Sequence, residues 1–334
     1  MRRIVVLALV AVLALGVFGF AQVGSSPDNP IYMLLVPSTE GATVEAVGKA
    51  IAEDIHNKTG LYIVASLQAD YTAMIEAFAA SEGDTCGFPT TDQYIRIYER
   101  TGGNVSPRLA SMRYGNDYYF ASVYARRDSG IETLEDMNGK TWIYNETGST
   151  SGYVLPHDVF KANGITVGGI VESGGHTNSM VALIEGQGDF CTGYGSPPLP
   201  PAEGFWAGWQ WRYGMDPELW IWGKANNALY SDKKDRGMCV DLRRAMRKIY
   251  DLETVLTDIG VVMTMGPVPN DCLCFGPDFP TDIADTIVAT IQDQFKDEAM
   301  KALWNDPNFY EWTAVNEITD SYYDSYRDLL GIEK

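Results

Sequence analysis

Histidine is scarce: the 334-residue chain holds three, His56, His157 and His176. None stands at ligand spacing from a cysteine, so neither a zinc site nor any other metal or cofactor is expected. Cysteine is limited to Cys86, Cys191, Cys239, Cys272 and Cys274, with no CxxC pair. An odd count leaves at least one thiol unpaired in an oxidising compartment. Basic residues are also short. The 25 lysines and arginines less Arg2 and Arg3 leave 23 against 44 acidic residues, a net charge of −21 for the chain beyond residue 21. Such a surface argues against nucleic acid and anionic membranes as partners. It also repels anions in general, so any bound anion has to be held by local geometry.

Long apolar runs are confined to the start, MRRIVVLALVAVLALGVFGFAQ. Two arginines, an apolar stretch and a small-x-small site read as a cleavable secretory signal over residues 1–21, cut after Ala21. The expected product is exported, soluble and periplasmic. Its 313 residues (334 less 21) exceed one small core and suit two lobes.

The rest alternates strand-like and helix-like blocks. IYMLLVP (31–37) precedes a helix ending at Gly60; LYIVAS (61–66) precedes the helix YTAMIEAFAASEG (71–83). After DTCGF, residues 89–117 read as a connector. Then come the strands YYFASVYARR and KTWIYN, a helix over 149–163, and the strand TVGGIVES. This alternation predicts an α/β fold with mainly parallel sheets. The segments YTAMIEAFAASEGDTCGF and NSMVALIEGQGDFCTGY share one plan: helix, Gly-Asp, strand with Cys. Two similar lobes would bind a ligand beyond the carboxyl ends of their strands, in the cleft between them.

The loops facing such a cleft carry Ser38-Thr39, Tyr71, Ser149-Thr150-Ser151 and Gly174-Gly175-His176-Thr177, without a lysine or arginine. Each stands at a helix start, where free N–H groups and a partial positive charge receive anions. One capping hydroxyl would serve the helix. Three in a row, between Gly148 and Gly152, exceed that need and point to a ligand, with the glycines allowing its close approach.

The stretch RDSGIETLEDMNGKTWIYNETGSTSGYVLP (127–156), followed by SGGHTNSMVALIEGQGD (173–189), resembles the PhnD-like solute-binding components of phosphonate, phosphite and phosphate ABC importers. VPSTEG, DYTAMIEAF and VPNDCLCFGPDFP add to the likeness. The resemblance implies a two-lobed type II periplasmic-binding-protein fold with a ligand cleft between lobes. Lobe 1 would comprise 26–118 and 276–334, and lobe 2 would comprise 119–275. It further implies a small oxyanion ligand, a membrane permease as partner, a monomer and no catalysis. Ser149, Thr150 and Ser151 would hold the oxyanion with help from His176, Tyr71 and Tyr119; Asp271 would lie near the far end of the ligand. Ser38 and Thr39 join them as cleft-facing hydroxyls.

Two departures stand out. Relatives that take aminoalkyl ligands carry a Glu near the position of Ser196, which weakens that substrate here. A carboxylate such as Asp271 can still accept from an amine or a P–OH group. Residues 197–266 form a longer connection than usual, with Trp206, Trp209, Trp211, Trp220 and Trp222 and an expected helix over 241–260. This insertion reads as a packed subdomain; the sharper alternative is an aromatic wall for a larger or cationic ligand. A hydrolase using Ser149 or Ser151 with His176 is disfavoured, because GSTSG is not a GxSxG elbow and no acid neighbours His176 in sequence. A sensor subunit on the same fold stays open.

Overall fold

The computed structural model describes residues 22–38, 41–221 and 236–332. The leader read over 1–21 lies outside the described residues, as do Thr39 and Trp222. Twelve described strands form two six-stranded sheets. The first contains β1 (Ile31–Leu35), β2 (Ile63–Leu67), β3 (Thr85–Gly87), β4 (Ser106–Met112), β11 (Cys272–Phe275) and β12 (Ala314–Glu317), in the order β12-β4-β11-β3-β1-β2. The second contains β5 (Tyr118–Arg126), β6 (Thr141–Tyr144), β7 (Gly169–Glu172), β8 (Phe190–Leu199), β9 (Met238–Asp241) and β10 (Ile259–Pro269). Its order is β10-β5-β8-β6-β7, with β9 on β8.

Each sheet is parallel only in part. β2-β1-β3 and β7-β6-β8 are parallel, while β11 and β5 join them antiparallel. The expectation of mainly parallel sheets is therefore corrected. The reason is that the chain crosses between lobes twice, and a strand arriving by such a crossing is free to pair antiparallel. The repeated segment occupies equivalent places: Cys86 pairs in register with Met33, and Cys191 with Ile143. All five cysteines are buried and unbridged.

The helices are α1 (Gly41–Thr59), α2 (Tyr71–Ala79), α3 (Thr91–Arg100), α4 (Leu155–Ala162), α5 (His176–Ile184), α6 (Leu242–Ala245), α7 (Leu252–Asp258), α8 (Thr281–Gln294), α9 (Glu298–Trp304) and α10 (Asp324–Leu330). α2 starts where Asp70 accepts the Ala73 N–H at 2.7 Å, so Asp70 acts as a cap. The connector read over 89–117 is structured: it holds α3 and β4. The single helix read over 241–260 is broken, because Asp251 turns its carboxylate onto the Thr254 N–H at 3.0 Å and restarts the chain as α7. β11 belongs to the first sheet. The return crossing thus lies at Asn270-Asp271, and the second lobe ends before the 275 expected for it.

The tryptophan-rich stretch packs. Trp211, Trp220 and Ile221 bury against Phe120, Cys239 and Leu256 in a cluster of their own. Glu218 anchors it. The side chain is 1 % exposed, receives Arg127 Nη2 at 2.5 Å, binds the fully buried Arg243, and accepts the Val261 N–H at 3.0 Å. Without the carboxylate, Arg127 would lose this partner and the buried Arg243 would be left with Asp241 alone. Glu218→Ala should therefore lower stability by about 3–5 kcal/mol, read as a reduced midpoint in urea unfolding. A loss below about 1 kcal/mol, the size of a surface ion pair, would show that the insertion is held by its aromatics alone.

Candidate functional site

The strand ends dictate where the site forms. Val36 and Ser38 follow β1, Tyr71 opens α2 after β2, Thr90 follows β3 and Arg113 follows β4. Ser149–Ser151 follow β6, and His176 opens α5 after β7. These loops meet in one cleft between the lobes, the crevice expected beyond the carboxyl ends of α/β strands. Ser38, Tyr71, Tyr119, Ser149, Thr150, Ser151, His176 and Asp271 all line it. Of the residues singled out from sequence, Thr39 lies outside the described residues.

The cleft volume is about 60 Å³. At about 10–15 Å³ per water-sized group, that is room for roughly four to six non-hydrogen atoms. A tetrahedral oxyanion with a short substituent has that size. None of Trp206, Trp209, Trp211 and Trp220 lines the cleft, so the aromatic-wall alternative has no support among the described residues.

After β6 the chain forms one π turn, Thr150–Val154, before α4. Ser149 caps it by accepting the Gly152 N–H at 3.2 Å. Thr150 Oγ1 accepts the Asp92 N–H at 3.0 Å and donates to Thr90 Oγ1 at 3.2 Å, bonds that reach the first lobe. The Ser151 hydroxyl makes no hydrogen bond to the described residues. The flanking glycines serve protein neighbours. A Cβ on Gly148 would stand 2.6 Å from Tyr71 Cβ, and one on Gly152 would stand 1.7 Å from Asn145 Oδ1. The expectation that they clear space for a ligand is corrected: they let the lobes and the underlying strand come close.

His176 is buried, with Nε2 3.4 Å from Ser149 Oγ and no partner on Nδ1. Burial pushes its pKa down to about 4, so at neutral pH it is an uncharged imidazole with one N–H to give. Burial first, then the charge of Glu146, raises Tyr71 well above the usual phenol range, while a hydrogen bond with Ser149 opposes this. Tyr119 is raised mainly by burial and then by the charge of Asp271. These groups are neutral donors in a dry setting.

Sequence reasoning missed Thr90, Arg113, Tyr194, Tyr310 and Glu311, which also line the cleft. Among the described residues that line the cleft, Arg113 alone carries a permanent positive charge. Its Nη2 meets Asp271 Oδ2 at 2.6 Å. The signal for it existed: SPRLASM is a seven-residue strand, and Arg113 sits directly beyond its carboxyl end. Tyr310 and Glu311 lie between α9 and β12, with no local motif to mark them.

The lobes also touch at the rim. Glu146 accepts the Tyr71 N–H at 3.3 Å across the cleft. Arg244 bonds Glu311, and donates to the Tyr114 hydroxyl at 2.7 Å.

Two lobes, each built on a mixed α/β sheet, with a polar cleft at the strand ends, define a type II periplasmic binding protein. A family model described as the periplasmic substrate-binding protein of a phosphonate ABC transporter matches residues 33–323. The chain belongs to that family. Among solved structures it is similar to the binding component of an ABC phosphonate transporter from Pseudomonas aeruginosa, at 16% identity and a TM-score of 0.65, over 90% of this chain and 85% of that one. It is also similar to PhnD1 from Prochlorococcus marinus in complex with methylphosphonate, at 9% identity and a TM-score of 0.62, over 90% and 98% of the two chains. A third similar structure is a Xanthomonas citri protein bound to chloride, at 15% identity and a TM-score of 0.60, over 90% and 96%. At these identities the likeness establishes the fold.

Glu146 gives the rim a pH dependence. Burial, opposed by the Tyr71 N–H and reinforced by the charges of Asp70 and Glu172, raises its pKa from 4.5 to about 7. An unfolded chain releases this proton near 4.5, and the folded one holds it to about 7. Stability is therefore lost as pH rises between those values and stays at its lower level above them. Glu146→Gln mimics the protonated acid. It should raise Tm at pH 7.5 and leave it unchanged at pH 4.5, measured by paired thermal melts. An equal effect at both pH values would mean that ionisation of Glu146 has no part in it.

Proposed function

We propose that this chain captures a phosphorus oxyanion of the phosphonate, phosphite or phosphate type in the interlobe cleft and hands it to a membrane permease. The observation that carries this reading is the convergence of uncharged donors on one small cleft. The Ser149–Ser151 turn and His176 come from one lobe, and Tyr71 and Ser38 from the other. Desolvated, fixed donors bind an oxyanion without needing a full cation for each charge. Family membership and the methylphosphonate bound by the Prochlorococcus protein support the same ligand class.

Asp271 adds selectivity. A carboxylate only accepts hydrogen bonds, so it favours a ligand that keeps a P–OH proton and disfavours sulfate, which keeps none at neutral pH. The lobes close on the ligand by hinge motion, and the closed form presents the surface a permease reads. One chain supplies both walls of the cleft, so the protein works as a monomer. Residues 1–21 act as its leader, and the chain released from Gln22 acts in the periplasm. No helix among the described residues is long and apolar enough to cross a membrane.

Binding is favoured over catalysis because, among the described residues, His176 Nδ1 has no partner to orient it, whereas an activated serine–histidine pair is typically oriented by a third group.

Calorimetric titration of the chain from Gln22 with phosphate, phosphite, methylphosphonate and sulfate tests this reading. One phosphorus oxyanion should bind and sulfate should not. Ser151→Ala, which disturbs no internal hydrogen bond, should weaken that ligand about tenfold or more, the worth of one hydrogen bond to a charged group. Sulfate binding as tightly as any phosphorus compound, or no binding by any of the four, would sink the assignment.

A further inference from the structure

We infer that Arg113 sets which substituent the ligand carries: by neutralising Asp271 inside the cleft, it admits an oxyanion with a small uncharged group and turns away one bearing an ammonium. This deepens the proposed function and rests on it.

An ammonium in a buried site needs a carboxylate that is free to receive it. Among the described residues, the carboxylates that line the cleft are Asp271 and Glu311. Each is already matched with an arginine. Arg113 Nη2 holds Asp271 Oδ2 at 2.6 Å, and Arg244 holds Glu311. Ser196 lines the same cleft and contributes a hydroxyl without charge.

Arg113 is not free to step aside. Its Nε donates to the Tyr310 carbonyl at 3.1 Å, and its Nη1 donates to Ser111 Oγ at 3.2 Å and Asn270 Oδ1 at 3.1 Å. With the bond to Asp271, four of the five guanidinium N–H groups are committed to the protein. The charge is permanent in any accessible pH range. An ammonium approaching Asp271 would find Oδ2 already bonded and a fixed like charge beside it.

The test is calorimetric titration of methylphosphonate and 2-aminoethylphosphonate into the chain from Gln22, as wild type, Arg113→Gln and Asp271→Asn, each checked for a cooperative melt. Wild type should prefer methylphosphonate by about tenfold or more, the scale of a like-charge penalty. Arg113→Gln frees Asp271 and should shrink that preference about tenfold. Asp271→Asn leaves Arg113 uncompensated and should widen it about threefold or more. Equal affinity of wild type for both ligands overturns the inference while the oxyanion reading stands. So does a folded Arg113→Gln with the wild-type ratio. Should Arg113→Gln fail to melt cooperatively, Asp271→Asn decides: a wider preference supports the role of Arg113, and an unchanged or narrower one overturns it. Failure of both ligands and of phosphate on wild type overturns the oxyanion reading itself, and the inference with it.

Discussion

The molecule depends on how its two chain crossings are tied together. The first runs from β4 to β5 through Arg113–Asp117, the second from β10 to β11 through Asn270-Asp271. The buried Asn270 side chain donates to the carbonyls of Ser111 and Asn116 at 2.8 and 3.1 Å, and accepts from Arg113. Tyr322 donates to the Asp117 carbonyl and accepts the Asn270 N–H, while Tyr323 donates to the Asn270 carbonyl at 3.0 Å. Backbone groups in a crossing have no sheet partner, and burying them unpaired would be costly. The knot satisfies them partly with side chains and partly through the backbone, where the Ser111 N–H donates to the Asp271 carbonyl at 2.9 Å and the Asn270 N–H to the Asp117 carbonyl at 3.3 Å. It thereby fixes where the two sheets face each other, and so where the loops at their strand ends converge. Arg113 and Asp271 are at once part of that knot and part of the cleft wall.

A net charge of −19 for the whole chain repels the ligand class the cleft is built for. Attraction has to be local, and it has two sources of different range. The Ser149–Ser151 turn, Tyr71 and His176 offer dipoles that act at hydrogen-bond distance and exclude water. Arg113 offers a full charge, but one already balanced by Asp271. On the proposed reading, the cleft recognises shape and acceptor geometry more than it collects negative charge.

The alternation of elements, the hydroxyl run and the glycine–histidine pair were legible because each is a local signal. Strand and helix periods differ, and a capping need can be counted against the hydroxyls supplied. What escaped is non-local. Whether β11 pairs with the first sheet or the second depends on a crossing that no short stretch encodes. Tyr310 and Glu311 reach the cleft from the far end of the chain, and Glu311 does so with a backbone φ of 52° that only the surrounding fold can impose. Arg113 was hidden for a different reason. Residues 89–117 carry an amphipathic helix and a strand, and once they are read as a connector the rule about strand ends has no strand to act on.

The two lobes share a plan yet divide the work unequally, and the division follows from what each loop can offer. In the second lobe the loop after β6 leads into a π turn that brings Ser149, Thr150 and Ser151 to the wall. The equivalent loop after β1 in the first lobe leads into α1 and contributes Ser38 to the wall. The first lobe compensates with large side chains, Tyr71 and Tyr310, and with Arg113. A fixed donor cradle on one side and long side chains on the other make an asymmetric clamp. On the proposed reading, the cradle sets the geometry of the oxyanion and the opposite wall selects its substituent. Changes of ligand within this fold would then fall on the first lobe and on the two crossings, while the hydroxyl turn of the second lobe stays as it is.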